Sequence, residues 1–141
     1  MKEILILKEN TKDKITDAKD LFNKVKKIKI DYKQENFIAV YLSTQNIVLG
    51  CDVLFKGGLN ACLVCPKTLF RTALKHNSDK IIIAHNHPSN DLKPSYEDRE
   101  MFKQLKDAGE IIDIKVLDSI IFNKKEFYSL TDGGLKWLKD I

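Results

Sequence analysis

Residues 80–98 read KIIIAHNHPSNDLKPSYED, and the order strand, loop, helix in this stretch sets the fold. Lys80 to His85 is a short, almost wholly apolar run, which suits a strand buried on both faces. Asn86 to Pro94 is polar and contains proline, as a surface loop requires. Residues 95–108 have Met101, Phe102 and Leu105 at helical spacing, with Gly109 placed to end that helix. Successive strand side chains alternate between faces, so Ile81, Ile83, His85 and His87 share one face if the strand extends that far. Two imidazoles then emerge together at its end. Asp98 lies on the apolar stripe of the following helix, where a carboxylate is costly unless paired. Two imidazoles and one carboxylate, with a fourth position left open, form the donor set of a catalytic zinc site. There is a plainer reading. Ser95-x-x-Asp98 is close to a capping box, although Asp is not the usual last residue, and both histidines can be ordinary turn residues before Pro88.

Working outward, KIIIAH is preceded by a helix opened by Pro66 and running to about Asn77, with Leu69, Phe70, Ala73 and Leu74 on one face. Residues 35–42 (ENFIAVYL) and 47–55 read as two strands joined by the turn-forming run Ser43 to Asn46, an expected hairpin. Gly57 and Gly58 end the second, and residues 59–64 suit a further strand. Residues 15–28 carry Ile15, Ala18, Leu21, Phe22 and Val25 at helical spacing, with Thr16 or Thr11 as the expected cap, and residues 3–8 alternate like a short strand. The tail, 111–130, reads as two or three strands with a turn at Asn123 to Lys125. The expected class is α/β or α+β: a mixed sheet flanked by helices.

Composition narrows the function. The 141 residues fit one domain, 1–141, and the 43% hydrophobic fraction is that of a globular fold. No run reaches the ~20 apolar residues that span a bilayer, and MKEILILKEN lacks the pattern of a signal peptide, so the expected compartment is the cytoplasm, with no membrane partner. The net charge of +4 comes from 24 basic residues, of which only Arg71 and Arg99 are arginines. Lysines spread along the chain read as a solubilising surface, and nucleic acid is the lesser alternative. Cys62 and Cys65 form a C-x-x-C without the second pair a zinc ribbon needs. With Cys51 they read as small packing residues. His76, near a helix C-terminus, reads as structural.

The pattern His85-x-His87, seven residues, Ser95, two residues, Asp98 resembles the JAMM motif of the JAB/MPN metalloprotease superfamily. The wider text (ENFIAVYL, FKGGLNA, PKTLFRTAL, IIIAHNHPS and PSYED, within residues 15–135) is similar to the RadC family of bacterial JAB-domain proteins. The resemblance implies a cytidine-deaminase-like JAB/MPN architecture and Zn2+ held by His85, His87 and Asp98. It also implies Glu35 as general acid/base and Ser95 as a helper at the oxyanion. The implied activity is that of a zinc metallopeptidase or isopeptidase acting on a peptide or protein. The alternative is a non-catalytic or DNA-processing-associated binding module, and a nuclease is disfavoured because two imidazoles suit zinc better than magnesium. Two departures stand out: Asn90 where relatives usually have Gly, and Ser119 where they often carry His. The helical DNA-binding module of full-length RadC proteins does not fit before residue 15, so the sequence reads as a stand-alone catalytic domain.

Overall fold

Each apolar run in the sequence becomes a strand or a helix face. The computed structural model describes residues 3–5, 13–57 and 66–131. In chain order they form β1 (Glu3–Leu5), α1 (Ala18–Val25), β2 (Asn36–Leu42), β3 (Val48–Lys56), α2 (Pro66–Lys75), β4 (Lys80–Asn86), α3 (Tyr96–Ile112), β5 (Lys115–Phe122) and β6 (Phe127–Ser129). The strands make one six-stranded sheet in the order β1-β3-β2-β4-β5-β6. All pairs are antiparallel except β4–β5, which are parallel. A parallel neighbour requires a crossover, and α3 supplies it.

Every residue of β2 and of β4 is buried, as central strands covered on both faces must be. On one face Ile38, Val40, Leu42, Ile82 and Ala84 pack against Ala18, Leu21, Phe22 and Val25 of α1. On the other, Phe37, Ala39, Tyr41, Ile81 and Ile83 pack against Leu69, Phe70 and Ala73 of α2 and Met101 and Leu105 of α3. The expected mixed sheet flanked by helices is therefore found, and the fold is of the JAB/MPN-like kind. The register Phe37↔His85 and Tyr41↔Ile81 puts the end of β4 beside the start of β2, which decides where the polar residues meet.

Several local expectations are corrected. Helix α1 spans Ala18–Val25 rather than 15–28, and its cap is Asp17, whose carboxylate accepts from the Asp20 N–H. Ile15 instead donates its N–H to the Asn46 carbonyl. On α2, Leu74 is 63% exposed and Thr72 is buried in its stead; the Thr72 oxygen lies 2.6 Å from the Tyr41 hydroxyl, a contact leucine cannot make. Gly109 does not end α3. The helix runs on to Ile112, and Asp113 takes the left-handed turn at φ 66. Gly109 serves close packing: a Cβ there would lie 2.3 Å from the Ile114 carbonyl oxygen. Residues 111 and 112 are accordingly helical, and the tail holds two strands among the described residues. The suggested strand 59–64, Cys62 and Cys65 lie outside the described residues.

Candidate metal centre

The centre is built where β4 ends, β2 begins and α3 starts. β4 closes at Asn86, one residue before His87, yet the two imidazoles still converge, with ring centroids 5.1 Å apart. His85 is buried and lies parallel to the Phe37 ring at 6.2 Å. His87 is partly exposed, and its Nδ1 lies 2.8 Å from the Asp91 carbonyl oxygen. That contact turns Nε2 inward, the orientation that a second partner gives to a ligating imidazole.

Asp98 meets both rings. Its Oδ1 is 3.1 Å from His85 Nε2 and its Oδ2 is 3.1 Å from His87 Nε2. The Ser95 N–H donates to the same Oδ2, while the Asp98 N–H donates to Ser95 Oγ. The capping-box reading is thus realised, and it coexists with the imidazole contacts: the cap fixes the carboxylate that both histidines face. Ser95 is exposed; its oxygen is used by the cap, whereas its hydroxyl proton is not. Burial alone would raise the Asp98 carboxyl, but the contacts with His85, His87 and the Ser95 N–H outweigh it and hold the group well below the usual carboxylate range.

Glu35 arrives from the other side. It is partly buried just before β2, and desolvation raises its carboxyl, against the opposing pull of His85 and His87. Ligand atoms of Glu35, His85 and His87 all lie within 4.8 Å of one another. The two carboxylates beside the imidazoles are thus pushed in opposite directions.

Two residues outside the motif hold this arrangement, and the sequence reading missed them. Asn86, between the two histidines, points to the opposite side of the strand. Its side-chain oxygen accepts from the Asn36 N–H at 2.8 Å and from Asn36 Nδ2 at 3.1 Å, and its amide donates to the Gln34 carbonyl. Asn36 also donates to the carbonyls of Asp31 and Gln34. The backbone on both sides of Glu35 is therefore tied to the residue between the histidines. The available signal was Asn86 itself, an amide inside a run otherwise read as metal-binding and apolar.

The donor set fits a small divalent ion. Ligands around tetrahedral zinc at ~2.05 Å stand roughly 3.3 Å apart; each Nε2 lies 3.1 Å from a different Asp98 oxygen, a hydrogen-bond length that is also near that spacing. His85 Nε2, which faces Asp98 Oδ1, is the nitrogen aimed at the centre, and its Nδ1 is buried without a hydrogen-bond partner among the described residues. Imidazole with carboxylate suits zinc and other first-row ions.

Comparison with known proteins agrees with the motif. The RadC-like JAB domain matches residues 15–135. The UPF0758 protein of Staphylococcus haemolyticus is 39% identical over 125 residues, covering 89% of this chain and 55% of that protein. A UPF0758 protein of Clostridium beijerinckii is 42% identical over 126 residues, again 89% of this chain and 55% of the relative. One from Clostridium botulinum is 46% identical over 102 residues, 72% of this chain and 44% of the relative. The chain spans about half the length of the relatives it matches. No helix among the described residues is long and apolar enough to cross a membrane.

Proposed function

This chain belongs to the RadC-like JAB domain family, and from that premise we propose that it is a zinc-dependent hydrolase cleaving a peptide or isopeptide bond. The observation that carries the reading is the convergence of His85 and His87 Nε2 on one carboxylate, Asp98, with a second carboxylate, Glu35, beside them. His85, His87 and Asp98 would hold the ion. Bound there, zinc supplies a Lewis acid and a lowered pKa for water.

The protein's own groups divide the remaining work. The raised carboxyl of Glu35 suits proton transfer, so Glu35 takes a proton from the attacking water and returns it to the leaving amine. Asp98, held ionised, suits ligation instead. Environments that push two carboxylates apart in this way mark separate roles. The Ser95 hydroxyl, at the start of α3, donates toward the developing oxyanion while its oxygen remains in the cap.

The test uses zinc stoichiometry and cleavage together. Wild type is expected to hold one zinc and to cleave members of a peptide and isopeptide library. Glu35→Gln should retain the zinc and lose cleavage by at least about 100-fold. Loss of zinc in Glu35→Gln would make Glu35 a ligand rather than the base. Absence of zinc from wild type after dialysis against the metal would end the reading.

A further inference from the structure

A cavity of about 430 Å³ has walls drawn from the same segments that build the metal centre. Tyr32 and Lys33 come from the stretch leading into Glu35. Pro88 and Asn90 come from the loop leaving His87. Lys124 and Lys125, with Glu126, come from the turn between β5 and β6. Both strands that the loop and turn follow, β4 and β5, are parallel, so the cavity lies beyond their carboxyl ends, where open sheets with a parallel pair form binding crevices.

The walls are fixed. Asn123 Nδ2 donates to the Asn90 carbonyl at 3.2 Å, which ties the turn to the loop, and the Asn123 side-chain oxygen accepts from the Lys125 and Glu126 N–H groups. The Tyr32 ring meets Phe122 edge-on, with centroids 6.0 Å apart. Lys124 Nζ stands over that ring at 5.4 Å.

The lining is cationic and unsatisfied. Three lysines face one glutamate, and none of the three is in an ion pair among the described residues. The Tyr32 hydroxyl is buried and has no hydrogen-bond partner among the described residues. Three ammonium groups against one carboxylate leave the lining with a net positive charge, which suits an anionic group. Glu126 indicates which kind. It repels any anion, a string of phosphates more than a single carboxylate, and a peptide backbone also offers it N–H groups. A half-open cavity of about 430 Å³ also fits a side chain better than an extended polynucleotide, which needs a basic groove tracking its backbone.

We propose that this cavity is a subsite for an acidic side chain of a polypeptide, next to the bond presented to the metal centre. It rests on the hydrolase reading only in calling that polypeptide the substrate.

The test measures binding to the zinc-loaded full chain carrying Glu35→Gln, so that turnover does not interfere. The probes are the acetylated, amidated tetrapeptides Gly-Glu-Asp-Gly and Gly-Gln-Asn-Gly, and a short oligothymidylate. The acidic peptide should bind at least about fivefold more tightly than the neutral one, and the advantage should shrink with added salt. Adding Lys124→Gln and Lys125→Gln, both exposed positions, should remove the advantage while zinc content and circular dichroism stay unchanged. Equal binding of the two peptides, no binding of the acidic one at millimolar concentration, or an advantage that survives the lysine substitutions overturns the proposal. So does an oligothymidylate that binds more tightly than the acidic peptide and depends on the same lysines. Zinc uptake and library cleavage are read on separate samples. Acidic-peptide binding without zinc uptake keeps the subsite and removes the hydrolase; zinc-dependent cleavage with no acidic preference does the reverse.

Discussion

Two polar clusters sit on the same face of the same strands, at opposite ends. At one end of β2 and β4 lie Glu35, His85, His87 and Asp98. Four residues along β2, roughly 13 Å away by strand rise, lie Tyr41, Asp52, Thr72 and His76. Ala39 and Ile83 separate them. In the second cluster most donors and acceptors match. The Tyr41 O–H is shared between Asp52 at 2.9 Å and the Thr72 oxygen at 2.6 Å, and the Thr72 O–H donates to the Leu69 carbonyl. His76 stacks on Tyr41 at 4.4 Å and lies 3.5 Å from Asp52. Gly50 makes room, since a Cβ there would come within 2.9 Å of the imidazole. In the first cluster they do not match. One carboxylate serves two imidazoles and an N–H, a second has its carboxyl raised by burial, and His85 Nδ1 has no partner among the described residues. A closed network holds a fold together; an excess of ligand atoms aimed at one point is suited to a cation.

The largest effect expected from this contrast is on metal binding. His85→Ala or His87→Ala should weaken zinc by more than about 100-fold, or roughly 2.7 kcal/mol, in a chelator competition. The urea midpoint of the metal-free protein should move less, because the polar contacts of these rings are confined to Asp98 and the Asp91 carbonyl. Tyr41→Phe should do the opposite. It leaves the buried Asp52 without its phenol donor, at a cost of about 2–3 kcal/mol in urea unfolding, with zinc affinity unchanged. A Tyr41→Phe variant that loses zinc, or a His85→Ala variant that loses as much stability as Tyr41→Phe, would break the distinction.

The sequence showed the two ends unequally. The strand KIIIAH, the alternation bringing His85 and His87 to one face, and Asp98 on the apolar stripe of α3 were all legible, because each rests on a local period. The role of Glu35 was not: its phase with Phe37 places it on the correct face, but only the family resemblance singled it out. The pairing of Asn36 with Asn86 and of Tyr41 with Asp52 depends on register between distant segments, which no local pattern encodes. Helix ends failed for a related reason. Asp17 competes with two neighbouring threonines for one cap, and Gly109 looks like a terminator although tertiary packing needs it small inside the helix.

Asn86 lets the contrast be sharpened, since it is a structural residue inserted between two candidate ligands. Asn86→Ala removes the acceptor for both Asn36 donors, so it should cost about 1–2 kcal/mol of stability. It should also lower zinc affinity, by about tenfold, the smaller end of what lost support around a ligating shell does. Cleavage should fall further than zinc occupancy explains, because Glu35 is held by the same clamp. Equal loss of stability in the zinc-free and zinc-saturated protein, with no change in affinity, would make the clamp merely structural.

The smallest expected effect is the pH dependence of the metal-free protein. The contact with Asp98 raises the His87 pKa, against burial, with help from the Asp91 carbonyl. A raised histidine stabilises the fold fully below its unfolded value of about 6.5, and that contribution is lost as pH climbs through the folded value. Asp98 behaves inversely. Its net lowering contributes above about pH 3.9 and is lost as the solution becomes more acid. Urea stability in the presence of chelator should therefore rise from pH 3 to 5, level off, and decline above pH 6.5. The decline should be less than about 1 kcal/mol, because His87 is partly exposed and screened. Burial keeps the Tyr41 hydroxyl above its ordinary range, so it retains its proton throughout. The decline should vanish in His87→Gln and in zinc-loaded protein, where the metal replaces the proton. If it persists unchanged in His87→Gln, the titrating group is not His87.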